Sequence, residues 1–262
     1  MCLSAAVGQE CPNKKDDVTV VQVLLNLNSQ RTAQGEAIDV DGAFGKQTSD
    51  AIEAFQRMVM GAAAPDRRVD PGSATLQALR SGLPAELSAL KLRGVMPAAR
   101  AANIQRYHPS LLAGMLARDI STPLRQAHFL SQIGHESGAL VFTEELASGD
   151  AYEGRADLGN TQPGDGPRFK GRGLIQLTGR ANYTKYGHDK GRNFVDGDNC
   201  TLLATDPELA VDVACWFWKT RGLNALADAD DIEAVTRRIN GGLNGLDDRQ
   251  RYLGRAKFFL PV

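Results

Sequence analysis

A mainly α-helical protein with one minor β element is the prediction from three stretches of this sequence. Val20 to Leu27 is an apolar run with helical spacing. Ser121-Thr122-Pro123-Leu124 places a hydroxyl residue just before proline, a helix start, and Gly138 supplies the stop. Asp206-Pro207 opens another apolar helix that carries Ala214-Cys215-Trp216-Phe217-Trp218. With 262 residues, 42% of them hydrophobic, the chain is long enough for two domains, the larger with a sizeable core of its own.

The first domain, residues 1–82, is expected to hold three helices. After the 20–27 run and a polar loop comes Val40-Asp41-Gly42-Ala43-Phe44-Gly45-Lys46-Gln47-Thr48, leading into Ala51-Ile52-Glu53-Ala54-Phe55-Gln56. A weaker echo, Val69-Asp70-Pro71-Gly72-Ser73-Ala74-Thr75-Leu76, follows. Each is an Asp-containing turn that runs into an apolar helix, an internal repeat of about thirty residues. Ser81-Gly82-Leu83-Pro84 is the expected join to a second domain, residues 83–262, and it is too short and apolar for a long flexible tether.

The second domain carries the chemistry. Phe129, Ile133 and Glu136 recur at helical spacing, so Glu136 is expected at the edge of an apolar face, partly desolvated. It belongs to His135-Glu136-Ser137-Gly138, and Glu145 follows nine residues on beside Thr143, Glu144 and Ser148. Cleavage of a glycosidic bond needs one carboxylic acid to protonate the leaving oxygen and one carboxylate to activate water. Contrasting surroundings, apolar for Glu136 and polar for Glu145, separate those roles. Glu144 is the rival for the base. Next comes a segment dense in Gly, Asn, Asp and Pro, from Tyr152 to Gly166, which reads as an ordered surface loop. In Gly173-Leu174-Ile175-Gln176-Leu177-Thr178 the alternation predicts a half-buried strand that offers an amide and a hydroxyl to a groove.

A net charge of −1 argues against general affinity for nucleic acid. No apolar run approaches the length of a membrane span, so no stable membrane association is expected, and Met1 to Val7 lacks the positive start of a secretory signal. Cys2, Cys11, Cys200 and Cys215 show no metal-ligand spacing, and their pairing is left open. Cys215, Trp216 and Trp218 are read as core. His135 is read as structural, because two carboxyl groups suffice for the chemistry. No metal or organic cofactor is implied.

The run from Phe129 to Gly138, with Gly171-Arg172-Gly173-Leu174-Ile175-Gln176-Leu177-Thr178, Ala214 to Trp218 and Thr236-Arg237-Arg238-Ile239-Asn240-Gly241-Gly242-Leu243, resembles glycoside hydrolase family 19. The likeness spans roughly residues 87–262 and is greatest to the bacteriophage endolysin branch. It implies a lysozyme-like α-helical domain and an inverting mechanism. Carried onto this chain, it makes Glu136 the acid, Glu145 the base and Thr178 the water-positioning hydroxyl. Gln176, Asn182, Tyr183 and Asn240 become substrate contacts. One departure stands out: plant members carry Glu after the Asn-Gly-Gly turn, and this chain has Asn244.

Residues 15–80 resemble the three-helix peptidoglycan-binding module of cell-wall hydrolases. That likeness makes Asp41, Gly42, Phe44, Gly45 and Thr48 candidate wall contacts. Together the two resemblances imply a monomeric hydrolase of bacterial peptidoglycan, released to the wall by a holin or another export route. A chitinase with the same machinery and a non-catalytic wall-binding protein are the alternatives.

Overall fold

The computed structural model describes residues 2–32 and 37–262. It divides into two compact units, Met1–Ala98 with Arg251–Val262, and Ala99–Gln250. The expected join at residues 82–83 thus lies inside the first unit.

In the first unit α1, Lys15–Leu27, is buried on nearly every side, with Val18, Val20, Val21, Val23 and Leu24 fully enclosed. A helix apolar all round belongs at a centre, and α2 (Lys46–Met58), α3 (Ala74–Ser81) and α4 (Ala89–Val95) all pack on it. Residues 83–98 join this unit because α4 contributes Leu92 and Val95, both fully buried. The C-terminal end comes close at Gly94, where an added Cβ would lie 2.2 Å from the Phe259 ring. A two-residue antiparallel ladder, β1 (Val7–Gly8) with β2 (Arg68–Val69), completes the unit.

The internal repeat is built on two identical latches. The Gln22 side-chain amide donates to Asp41 Oδ1 at 2.8 Å and Thr48 Oγ1 at 3.1 Å, and its oxygen accepts from the Gly42 N–H at 2.9 Å. Gln56 does the same with Asp66 Oδ1 at 2.6 Å, Thr75 Oγ1 at 3.2 Å and the Arg67 N–H at 2.9 Å. The echo of Asp41 is therefore Asp66. Asp70, the expected counterpart, instead pairs with Arg68 at the surface. Gly42 has φ +75° and Arg67 repeats that left-handed conformation at φ +57°, a strain of roughly 1–2 kcal/mol for a residue with a Cβ.

The second unit holds α5 (Ala101–Ala117), α6 (Pro123–Glu136), α7 (Asp165–Arg168), α8 (Arg180–Lys190) and α9 (Leu202–Thr205). It continues with α10 (Pro207–Thr220), α11 (Leu223–Asp228) and α12 (Ile232–Asn240). The last helix, α13 (Leu246–Phe259), contributes its first turn here. The expected starts are in place: Thr122 Oγ1 caps α6 by accepting from the Arg125 N–H at 3.2 Å, and Asp206 caps α10. Gly138 turns the chain after α6 with φ +55°. α5 runs along α10, and Gly114 permits the approach, since a Cβ there would stand 3.1 Å from Cys215 Sγ. Trp216 and Trp218 are core residues whose indole N–H groups donate to Asp189 at 2.7 Å and Asn224 at 2.8 Å. All four cysteines are free thiols.

The expected strand over 173–178 is a tight turn. Arg172 and Leu177 pair across it, Gly173 (φ +75°) and Gln176 (φ +56°) reverse the chain between them, and Leu174, Ile175 and Leu177 are all buried. Left-handed residues at both corners rule out an extended run. The protein is mainly helical, with a two-stranded sheet among the described residues.

Candidate active site

Glu136 is the last residue of α6, so the helix delivers its carboxyl at the point where the chain turns away. The carboxyl does not meet an apolar wall. Arg249, on the first turn of α13 and 1% exposed, donates from Nη2 to Glu136 Oε1 at 2.6 Å. Its Nη1 donates to Gln132 Oε1 at 2.5 Å, one turn back on α6, and its Nε reaches the Asn244 carbonyl at 3.4 Å. Where the resemblance expects a Glu, residue 244 thus serves Arg249 with its backbone. Gln132 is itself fully buried and donates to Thr236 Oγ1 at 3.4 Å. A single guanidinium bond to Oε1 leaves Oε2 available to carry a proton.

His135 lies next to this clamp and reinforces it. Its Nδ1 is 2.8 Å from Asp248 Oδ2, and its ring packs so tightly on Gly245 that a Cβ there would fall 2.1 Å from Cε1. Consecutive residues of α6, His135 and Glu136, therefore grip consecutive residues of α13, Asp248 and Arg249. Those contacts give His135 a part in the α6–α13 packing.

Glu145 sits in a loop stitched to the 170–173 segment by backbone bonds. Its N–H donates to the Gly171 carbonyl at 2.9 Å, and the Gly173 N–H donates to the Thr143 carbonyl at 2.8 Å. The carboxylate accepts from the Tyr152 hydroxyl at Oε1, 3.0 Å, and from the Gly171 N–H at Oε2, 3.1 Å. Both donors are neutral, whereas Glu136 faces a cation. Glu144 points elsewhere: its Oε1 takes both Nε and Nη2 of Arg172, at 3.0 and 2.9 Å. Arg172 is buried and also donates to the Arg168 carbonyl at 2.7 Å, so Glu144 belongs to the scaffold.

Gln176 comes to the same place as Glu145. An added Cβ at Gly171 would stand 2.9 Å from Gln176 Oε1 and 3.3 Å from Glu145 Oε2. A side chain at Gly171 would press on both. Thr178 is half-buried, its hydroxyl donating to the Gln176 carbonyl at 3.0 Å, and Asn182 Nδ2 donates to the Thr178 carbonyl at 2.7 Å. Tyr183 departs from expectation. It is fully buried, its hydroxyl donates to the Lys170 carbonyl at 2.8 Å and accepts from Arg172 Nη1 at 3.2 Å. That side chain supports the 170–172 segment from below and has no surface to offer a substrate. Asn240 ends α12 and is exposed, and Gly241 turns the chain after it with φ +74°.

The Tyr152–Gly166 loop is ordered, as expected. It holds short 3-10 turns at Asp150–Tyr152 and Ala156–Leu158, and further along Asp165 accepts from the Gln162 N–H at 3.0 Å and grips Arg180 at 2.5 and 2.8 Å. That guanidinium holds the Asp165 carboxyl below the usual carboxylate range.

In the first unit, Thr48 is buried in the Gln22 latch and Gly42 is enclosed with it. Their part is to form the turn, and they offer no surface to a wall polymer. Asp41 spends Oδ1 on Gln22 and the Ala43 N–H, bonds that hold its carboxyl below the usual range. Phe44 is half-buried and Gly45 exposed.

Sequence reasoning missed Arg249, Gln132, Tyr152 and Gly171. Arg249 lies far along the chain from Glu136, and nothing local marks it. The nearest signal is the Asn-Gly-Gly turn before it, which draws attention to Asn240 and Asn244 and not to Arg249. Gly171 stands in the motif that carries the family resemblance, with no role of its own marked there.

The sequence profile of class I chitinases of glycosyl hydrolase family 19 matches residues 119–236, a span that holds both glutamates, Thr178 and Asn182. A glycosyl hydrolase family 19 domain-containing protein of Haemophilus influenzae is 36% identical over 157 residues, 48% of this chain and 75% of that protein. The acidic endochitinase Q of Nicotiana tabacum is 36% identical over 163 residues, 52% of this chain and 61% of the tobacco enzyme. The fold is that of chitinase C from Streptomyces griseus, with a TM-score of 0.56 at 22% identity over 67% of this chain and 92% of that one. With three quarters of the Haemophilus protein matched at this identity, the chain belongs to glycosyl hydrolase family 19 and is a glycosidase.

Proposed function

We propose that this protein is a peptidoglycan hydrolase, an N-acetylmuramidase that cuts the β-1,4 bond between N-acetylmuramic acid and N-acetylglucosamine by inversion. Glu136 protonates the leaving oxygen from Oε2 while Arg249 holds Oε1. Glu145, kept in place by Tyr152 and Gly171, draws the proton from an attacking water. Thr178 and Gln176 flank that water, and Asn182 and Asn240 contact the sugar. Val141, Phe142 and Leu146 are exposed next to the two glutamates in sequence and offer apolar surface to sugar rings.

The observation that carries the choice of polymer is the twice-repeated Gln-Asp-Thr latch of the first unit, which belongs to the module the sequence likens to peptidoglycan-binding domains. Phe44 and the exposed rim of that turn are the wall contacts in this reading. The protein acts as a monomer and reaches the wall by a holin or another export route. Among the described residues no helix is long and apolar enough to cross a membrane.

The tobacco endochitinase favours a second reading, a chitinase acting on β-1,4 N-acetylglucosamine polymers. Incubation of the whole protein with purified peptidoglycan and, separately, with chitin hexamer decides between them. Mass spectrometry of the peptidoglycan digest should show fragments with reducing N-acetylmuramic acid ends. Cleavage of chitin alone would establish the chitinase, and 1,6-anhydro ends would mean that water is not the nucleophile.

A further inference from the structure

Nothing in the pairing of the two glutamates requires a tyrosine, yet the fold goes to some length to present one. Tyr152 ends the 3-10 turn Asp150–Tyr152, which Gly149 enters with φ +91°. At Gly149 a Cβ would lie 2.7 Å from the Gly166 carbonyl, so the turn is pressed against α7. The Tyr152 carbonyl accepts from Asn160 Nδ2 at 2.9 Å, and the Asn160 Oδ1 accepts from the Arg180 N–H at 2.8 Å. Next along the chain, Glu153 takes the N–H groups of Gly164 and Gly166, each at 2.7 Å. The backbone of Tyr152 is thus fixed on several sides, and its half-buried ring carries the hydroxyl to Glu145 Oε1 at 3.0 Å.

We infer that Tyr152 is a positioning residue for the general base: with the Gly171 N–H it holds the Glu145 carboxylate in one plane. This rests on the reading of Glu145 as the base. One donor binds each oxygen, so rotation of the carboxylate about its last bond would break both bonds together. Hydrogen bonds to the charged form favour that form. The phenol suits the part, since burial first and the bond to Glu145 second push its own pKa up and keep it a donor. A lysine or arginine here would hold the carboxylate more strongly and blunt it as a base. A neutral donor fixes its orientation and leaves it able to take a proton.

The test is the pH profile of kcat/KM for the whole protein carrying Tyr152→Phe, read on both solubilised peptidoglycan strands and chitin hexamer. Phenylalanine keeps the ring and loses the donor. The acidic limb should move up by about one pH unit, with kcat lowered about tenfold and KM and the melting temperature little changed. Replacement of Tyr152 by 3-fluorotyrosine, a stronger donor of nearly the same shape, should move the limb the opposite way, and it serves if the Phe variant folds poorly. Superimposable acidic limbs for all three proteins would overturn the inference. Glu145→Gln separates the two claims. An active Glu145→Gln protein sinks the base assignment itself, whereas an inactive one beside unmoved limbs sinks Tyr152 alone.

Discussion

Two carboxyl groups in this protein are held by opposite means. Glu136 is gripped through one oxygen by a buried guanidinium, while Glu145 accepts neutral donors on both oxygens. Glu136→Gln keeps the Arg249 bond through its amide oxygen and loses the proton, so folding should survive and turnover should fall ~10²–10⁴-fold. A variant with more than half of normal activity would remove Glu136 from the acid role. Glu144→Gln should keep most of the activity, because Glu144 faces the buried Arg172 and the glutamine amide oxygen can still accept from that guanidinium. Loss of activity equal to that of Glu145→Gln would make Glu144 the base instead. The sequence identified both candidate glutamates and their rival. It misjudged the surroundings of Glu136, because an amphipathic pattern marks which face is buried and cannot say that a cation from a distant helix is buried there too.

At the scale of elements, the α6–α13 clamp and the 150–168 loop build the site. Arg249→Leu removes the cation that Glu136 and Gln132 share, and the remaining carboxylate is left largely enclosed. Glu136 keeps 18% side-chain exposure, which softens the loss, so destabilisation of about 3 kcal/mol is expected in urea unfolding. A change below about 1 kcal/mol would show that the clamp holds nothing. The loop should respond to acid. Asp165 is held below its ordinary value chiefly by Arg180, so its contribution is present above the ordinary carboxylate range and is lost as pH falls below about 4. The amide protection factors of residues 150–168, taken relative to the intrinsic exchange rate at each pH, should therefore fall between pH 6 and 3. Asp165→Asn should show low protection at both; an equally protected Asn variant would contradict this. Helix starts at Thr122 and Asp206 were legible because caps are local. The turn at 173–178 was not, since alternating apolar residues look alike in a strand and in a turn that buries Leu174, Ile175 and Leu177 by other means.

Over the whole molecule, the sequence divides the chain at residues 82–83 and the contacts divide it later. Ser81-Gly82-Leu83-Pro84 carries the signs of a join, yet α4 just beyond it belongs to α1 by packing, a long-range relation that local composition does not record. A fragment of residues 1–82 lacks Leu92 and Val95, so it should melt well below a fragment of residues 1–98; equal melting temperatures would restore the earlier boundary. The central claim is that Glu136 and Glu145 act as acid and base on opposite faces of one sugar, and the most direct measurement of it is stereochemical. Proton NMR of the first products from the polymer cleaved, taken before mutarotation, should show the α-anomer, the inverted configuration. An initial β-anomer would mean a covalent or neighbouring-group intermediate, and the two-carboxylate water mechanism would be wrong.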